Sequence, residues 1–201
     1  MIELVTGQEA AADGAGAGAA DELGVAATPC RDFFRTLAAS VTVVTSRDRA
    51  GPVGMTASAV TSLSLRPPLL LTCLAIGSAT LAAVRSHRAF AVGILHERQQ
   101  RHSAWFARAV PPQEKFDGVR YAEVLGVPVL ADALAWAVCF VEDVRDYGDH
   151  SVVVGRITAL RHGRGRPLLW HDRAHWRLSP REPAAGPHGL APDRPEEVAP
   201  A

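Results

Sequence analysis

Between Ala133 and Leu160 the chain carries two long runs of strand-forming composition, Ala133 to Tyr147 with Leu134, Trp136, Val138 and Phe140, and Ser151 to Leu160 with Val152-Val153-Val154 and Ile157. Gly148-Asp149 between them is a turn signal, so the pair reads as one long antiparallel hairpin. Further runs of the same kind precede it. Val41 to Thr45 and Val53 to Ser58 flank the turn-like Asp48 to Pro52, Leu69 to Leu74 follows Pro67-Pro68, and Ala89 to Leu95 reads as a buried strand. After the turn at Arg161 to Arg166, Leu168-Leu169-Trp170 and His175-Trp176-Arg177-Leu178 read as closing strands.

Helical signals are fewer and short. Asp32 opens a segment in which Phe33, Phe34 and Leu37 share one face, and Ala79 to His87 places Leu81 and Val84 on one side with Arg85 and His87 near its C-terminus. Glu97 to Arg108 reads as a further helix, polar early and apolar at Trp105 and Phe106. The stretch through Val110-Pro111-Pro112, Lys115-Phe116-Asp117-Gly118 and Gly126-Val127-Pro128 is punctuated too often for long elements. Many strands, a few short helices and no βαβ rhythm predict a mainly β fold with an antiparallel, barrel-like sheet. No Gly-x-Gly-x-x-Gly follows a strand, so a Rossmann site has no support.

The 201 residues allow one domain with tails. Residues 1–27, rich in Ala and Gly, read as a disordered arm, 28–178 as the folded domain, and 179–201, rich in Pro and Gly, as a disordered tail. Lys plus Arg (21) balances Asp plus Glu (21), so overall charge gives no attraction to nucleic acid or acidic membranes. Cys30, Cys73 and Cys139 are odd in number and widely separated, as expected of reduced cytosolic thiols. With no long apolar run and no basic-then-apolar leader, cytoplasmic residence is expected.

One stretch points to a ligand. From Gly54 to Thr80, hydroxyl residues crowd into an apolar region, at Thr56, Ser58, Thr61, Ser62 and Ser64. Alternation in an extended chain puts Thr56 and Ser58 on one face, and Ser62 and Ser64 together further on. Neutral hydroxyls suit a ligand with many polar edges. Beyond the Leu69 to Leu74 strand, Ser78 in Gly77-Ser78-Ala79-Thr80 is placed to cap a helix from Ala79, whose free N–H groups favour an anion such as phosphate. Each hydroxyl taken alone reads rather as an ordinary strand or cap residue.

The ordered series Met55-Thr56-Ala57-Ser58, Thr61-Ser62-Leu63-Ser64, Pro67-Pro68-Leu69-Leu70-Leu71 and Gly77-Ser78-Ala79-Thr80 resembles the flavin reductase-like family. Phe33-Phe34-Arg35, Val41 to Thr45, Phe90-Ala91-Val92, Lys115-Phe116 and Gly148-Asp149-His150 extend the resemblance over roughly residues 33–177. It implies a split antiparallel β-barrel, a homodimer, and reduction of FMN or FAD by NADH or NADPH, with reduced flavin supplied to a partner monooxygenase. Thr56, Ala57, Ser58, Ser62, Leu63, Ser64, Cys73, Ser78, Thr80 and Phe116 are implied on the flavin side, and Gly148, Asp149 and His150 on the nicotinamide side, with His150 the catalytic candidate. Trp105, Phe106 and Trp136 are candidates for the dimer interface. Ala38-Ala39-Ser40-Val41 departs from the Ala-Thr-Gly-Val-like approach of many members, which bears on how the first strand is placed.

Other chemistries find less support. The eight histidines are scattered without metal-ligand spacing, so no metal is expected, and no Gly-x-Ser-x-Gly elbow accompanies the Ser, His and Asp residues. A flavin carrier or sensor without useful reductase activity, and an oxygenase using its own flavin, are the alternatives.

Overall fold

The computed structural model describes residues 24–179; the expected N-terminal arm up to residue 23 and the tail from residue 180 lie outside the described residues. The first helix, α1, spans Ala27–Arg35. It starts earlier than Asp32 because Pro29 suits a first turn, where a missing N–H costs nothing. The strands follow as β1 (Ala39–Ser40), β2 (Thr42–Arg47), β3 (Pro52–Ala57), β4 (Val60–Leu65) and β5 (Pro68–Ala75). Then come α2 (Ala79–His87), β6 (Ala89–Ile94), α3 (Gln100–Phe106) and a 3₁₀ turn at Gln113–Phe116. The chain closes with β7 (Tyr121–Val124), β8 (Val127–Leu130), β9 (Ala135–Tyr147), β10 (His150–His162), β11 (Leu169–His171) and β12 (Ala174–Trp176).

The main sheet has seven strands in the order β3-β2-β6-β9-β10-β5-β4, and every pairing in it is antiparallel. Its two edge strands are consecutive in the chain, joined only by Ser58 and Ala59. Ala57 and Val60 can therefore stand no more than about 11 Å apart, so the sheet must curl until its edges nearly meet. They do not pair, and the result is a barrel left open along a seam. The two-residue link sits on that seam.

The long hairpin of β9 and β10 turns at Gly148, whose φ of +58° is the left-handed region that glycine adopts without penalty. Inside the curl, Leu81 and Val84 of α2 pack with Val44, Leu74, Phe90 and Val153. A second cluster joins Val41, Leu95, Phe106, Phe116, Leu130 and Leu168. β6 is buried along nearly its whole length, as its unbroken apolar run foretold, because the β7–β8 hairpin packs Val127 and Val129 against Ala89, Ala91 and Val138.

That hairpin is absent from the sequence reading. Its turn is Leu125-Gly126, with Leu125 at φ +53°, a position where Asn or Gly would have signalled a turn and Leu hides it. α3 is shorter than Glu97 to Arg108 because the chain before it is a separate turn, in which Gln99 N–H donates to His96 O at 2.8 Å and Gln99 Oε1 accepts from His96 N–H at 2.7 Å. The departure at Ala38 to Val41 also has a structural counterpart: Ala39 and Ser40 leave the main sheet and pair with Trp170 and Leu169 of β11.

Candidate functional site

Three turns converge at the open end of the sheet. In the first, Val60 N–H donates back to Ser58 O at 3.0 Å, and Ala59 O accepts from Cys73 N–H at 2.9 Å, which ties the seam link to β5. In the second, at the end of β5, Ser78 N–H donates to Ala75 O, and the Ser78 hydroxyl accepts from Leu81 N–H at 3.2 Å, the N-cap expected for α2. Gly77 there has φ +91° and open space where a side chain would stand. In the third, Gly148-Asp149 turns β9 into β10.

The second and third turns are bonded together. Ile76 N–H donates to Asp149 O at 2.9 Å, and His150 is the register partner of Ala75. Asp149 Oδ1 accepts from His150 Nδ1 at 2.7 Å, leaving Nε2 uncommitted among the described residues. That hydrogen bond, the charge of His150 and the more distant Arg31 hold the Asp149 carboxyl below its ordinary range. Behind the turn, the fully buried Ser151 donates to Asp146 Oδ1 at 2.6 Å and accepts from Arg85 Nη2 at 3.1 Å, while Arg85 also pairs with Asp146. α2 and the long hairpin are thus locked to each other next to His150.

Two clefts open on the sheet, the first beside the seam link and the second toward the opposite end of β5 and of the long hairpin. One, of about 520 Å³, lies between α1 and the β11–β12 turn and is lined by Arg31, Phe34, Arg35, Ser58, Trp170 and Arg173 among others. Asp172 N–H donates to Arg35 O at 3.1 Å, fixing that turn to the end of α1. Asp172 and Arg173 have φ of +46° and +60°, where a side chain costs roughly 1–2 kcal/mol per residue relative to the right-handed region. The other cleft, of about 570 Å³, is mostly apolar and includes Val60, Ser62, Ser64, Leu70, Trp136 and Leu160 in its lining.

The hydroxyl stretch is therefore divided. Ser58 faces the cationic cleft, while Ser62 and Ser64 line the apolar one. A register shift between Ser62 and Ser64 leaves Leu63 as the extra residue of a bulge, and Leu63 is exposed. Thr56 spends its hydroxyl on Ser103 O at 2.7 Å, Ala57 is in the core, and Thr80 is buried inside α2. Cys73 is half-buried and Phe116 is buried, its ring edge-on to Phe106 and Tyr121 at 5.3 Å each. Of the interface candidates, Phe106 is wholly in the core and Trp105 donates from Nε1 to Lys115 O, so Trp136 alone of the three lines the apolar cleft.

Sequence reasoning missed the arginines. Arg31, Arg35 and Arg173 come from the two ends of the folded domain and meet only through the β1–β11 pairing and the Asp172 to Arg35 bond. Nothing in their spacing announces the cluster. No group of His, Cys, Asp and Glu among the described residues is arranged to hold a metal ion.

Comparison with known proteins bears on what this geometry serves. The family profile described as "Flavin reductase like domain" matches residues 34–179. A "Probable flavin reductase" of Rhizobium meliloti (strain 1021) is 42% identical over 132 residues, 65% of this chain, yet the chain spans only 42% of that relative's length. "Flavin-dependent monooxygenase, reductase subunit HsaB" of Rhodococcus jostii (strain RHA1) is 37% identical over 160 residues, 77% of this chain and 81% of the relative. Among solved structures, BorF, the flavin reductase component of a bacterial two-component tryptophan halogenase, superposes with a TM-score of 0.71 at 34% identity, covering 78% of this chain and all of BorF.

Proposed function

The chain belongs to the flavin reductase like domain family, and from that membership and the converging turns we propose that it reduces FMN or FAD with NADH or NADPH. The observation that carries the reading is the bond from Ile76 to Asp149 O, which joins the turn before Ser78 to the Gly148-Asp149-His150 turn. It supports the reading by tying the turn that leads to Ser78, one of the flavin-side candidates, to the turn that carries His150. A flavin held there supplies the acceptor for the hydride that a reduced nicotinamide gives up.

The residues fit such a guest. Ser58 and the Ala59 backbone are anchored on the seam, Ser78 sits at the start of α2 where unpaired N–H groups suit a phosphate, and Gly77 leaves space for close approach. His150 is oriented by Asp149, so its free nitrogen is available to a carboxamide or ring edge. No protein nucleophile is needed: the chain's work is to bind, orient and exclude competing geometries.

The same reading makes the protein a homodimer that passes reduced flavin to a partner monooxygenase. The apolar cleft with Trp136 and the neighbouring exposed Leu65 and Leu160 supports burial against a second copy, and the HsaB and BorF likenesses support the partner. Three unpaired thiols suit a cytoplasmic setting, and no helix among the described residues is long and apolar enough to cross a membrane. The test is anaerobic mixing of the purified chain with NADH or NADPH and FMN or FAD. Protein-dependent bleaching of the flavin is expected for at least one pairing, and flavin bound tightly without bleaching in any would favour the carrier reading.

A further inference from the structure

We propose that Arg85 is a positioning residue for His150, bracing the end of the long hairpin from α2 through Asp146 and Ser151. The role rests on the reductase reading for its meaning in the reaction. None of the three residues is among the flavin-side or nicotinamide-side candidates.

The end of the hairpin is where the sheet supports it least. β6 pairs with β9 only from Ala135 to Phe140, and the next residue, Val141, donates its N–H to Arg88 O at 3.0 Å just past the end of α2. From Glu142 to Tyr147, β9 has β10 as its one strand neighbour among the described residues. On the far side, β10 pairs with β5 as far as His150. A strand edge without a neighbour is held by no ladder and opens easily. Arg85, in the last turn of α2, supplies a tie on that edge. Its pair with Asp146 is the one ion pair between this part of the hairpin and another element among the described residues.

The tie passes through a buried atom. Ser151 and Asp146 are register partners across the strand pair, next to the pair formed by His150 and Tyr147. Ser151 is fully buried, and its hydroxyl donates to Asp146 Oδ1 at 2.6 Å and accepts from Arg85 Nη2 at 3.1 Å. Because Arg85 also pairs with Asp146, guanidinium, carboxylate and hydroxyl close a triangle. Charge-assisted bonds of this kind are stronger than neutral ones, and a buried hydroxyl stripped of its partners carries a desolvation penalty. Adjacent residues of a strand point to opposite faces. Holding Ser151 inward therefore turns the half-exposed His150 side chain outward.

Magnitude argues for position rather than stability. The Arg85 and Asp146 side chains are 44% and 53% exposed, and ion pairs as open as this contribute little to folding. The Asp149 side chain that orients the His150 ring is 95% exposed, so that bond competes with water. What the brace adds is a fixed backbone beneath the ring. The same helix is tied at its start, where Ser78 N–H donates to Ala75 O at 3.1 Å and the Ser78 hydroxyl caps Leu81 N–H. Holding His150 in place relative to Ser78 fixes the separation of the two candidate half-sites, on which hydride transfer depends steeply.

Arg85→Met, Arg85→Lys and Ser151→Ala test the brace, each alone and together with His150→Ala. In anaerobic assays, Arg85→Met is expected to raise KM for NADH or NADPH, or to slow flavin reduction, about three- to tenfold, with flavin affinity within about twofold of the parent chain. Arg85→Lys should recover part of the loss, because it keeps the charge opposite Asp146 and gives up the fork. In His150→Ala the same Arg85→Met should change nothing further, since a residue that acts through His150 has no effect once the imidazole is gone. An equal loss in both backgrounds, or a fall in flavin affinity that matches the fall in rate, overturns the proposal. Ser151→Ala deletes one oxygen and no charge, and it carries the same test if Arg85→Met fails to fold. NMR of the histidine rings separates this proposal from the reductase reading. In Arg85→Met or Ser151→Ala the His150 ring signals should shift while those of His175, bonded to Ser103 on α3, stay in place. That shift in a chain that reduces no flavin upholds the brace and overturns the reductase reading. Unmoved His150 signals in a chain that reduces flavin overturn the brace and leave the reductase intact.

Discussion

Ile76 donates its backbone N–H to the carbonyl oxygen of Asp149 at 2.9 Å, so the turn that ends β5 is joined to the turn between β9 and β10. His150, paired in register with Ala75, inherits its position from that bond. Its side chain is set separately, by Asp149 Oδ1 at 2.7 Å. Backbone and side chain at this corner are therefore fixed by one residue.

Asp149→Ala is expected to free the His150 ring and to slow the nicotinamide half of the reaction without weakening flavin binding. The pH dependence of the pair has a definite sign. Because the Asp149 carboxyl is depressed, its contribution is fully present above the ordinary carboxylate range near 3.8 and is lost as pH falls through the lower folded value. An NMR titration of the Asp149 carboxyl should therefore give a midpoint below that of a free aspartate, and the depression should shrink in His150→Ala.

Gly155 exists for Phe90. A Cβ at Gly155 would stand 2.5 Å from Phe90 Cζ and 2.7 Å from Cys139 Cβ, in the middle of the core inside the curled sheet. Gly155→Ala is expected to cost about 1–3 kcal/mol in urea unfolding. Adding Phe90→Leu should recover part of that loss, and strict additivity of the two substitutions would contradict the contact.

Thr72 is fully buried and its hydroxyl has no hydrogen-bond partner among the described residues. Thr72→Val keeps the shape and removes the unsatisfied group, so a gain of about 1 kcal/mol is expected. A clear loss of stability would mean that the hydroxyl has a partner, such as a buried water or a ligand atom.

Cys139 is buried in the core, and burial pushes its thiol up to about 12 from 9.0. Its contribution to stability is fully present below pH 9 and is lost as pH rises toward 12, because the unfolded chain ionises first. In the native protein a thiol reagent at neutral pH should modify Cys30 and Cys73 and spare Cys139, whereas Cys139→Ser should flatten the alkaline loss.

Much of the fold was legible because each strand declares itself locally. α2 begins and ends where its N-cap and charges placed it, and the β2–β3 and β9–β10 hairpins were readable from their turns. The homologous motif order gave the sheet its overall identity, which no single run supplies. What local signals do not carry is pairing across the chain. The seam arises because β3 and β4 end on opposite edges, and the arginine cleft arises because residues near 31 and 173 are brought together by a strand of two residues. The division of Ser58 from Ser62 and Ser64 was likewise hidden, since Ser58 lies in the link across the seam while Ser62 and Ser64 lie on β4 at the opposite edge of the sheet. In amide exchange, Leu69 to Leu74 and Val152 to Ile157, whose strands pair with each other in the sheet interior, should be the slow segments.

The central claim is that one corner of the open sheet holds flavin on the Ser58 side and nicotinamide on the His150 side, and paired substitutions test it most directly. Ser58→Ala is expected to weaken flavin binding by about 0.5–1.5 kcal/mol with little change in nucleotide kinetics at saturating flavin. His150→Ala should raise KM for NADH or NADPH, or slow flavin reduction, while flavin affinity stays near that of the parent chain. Measuring flavin affinity and single-turnover reduction for both variants separates the two halves. Loss of flavin binding in His150→Ala with unchanged nucleotide kinetics would contradict the account and assign the Gly148-Asp149-His150 turn to the flavin side.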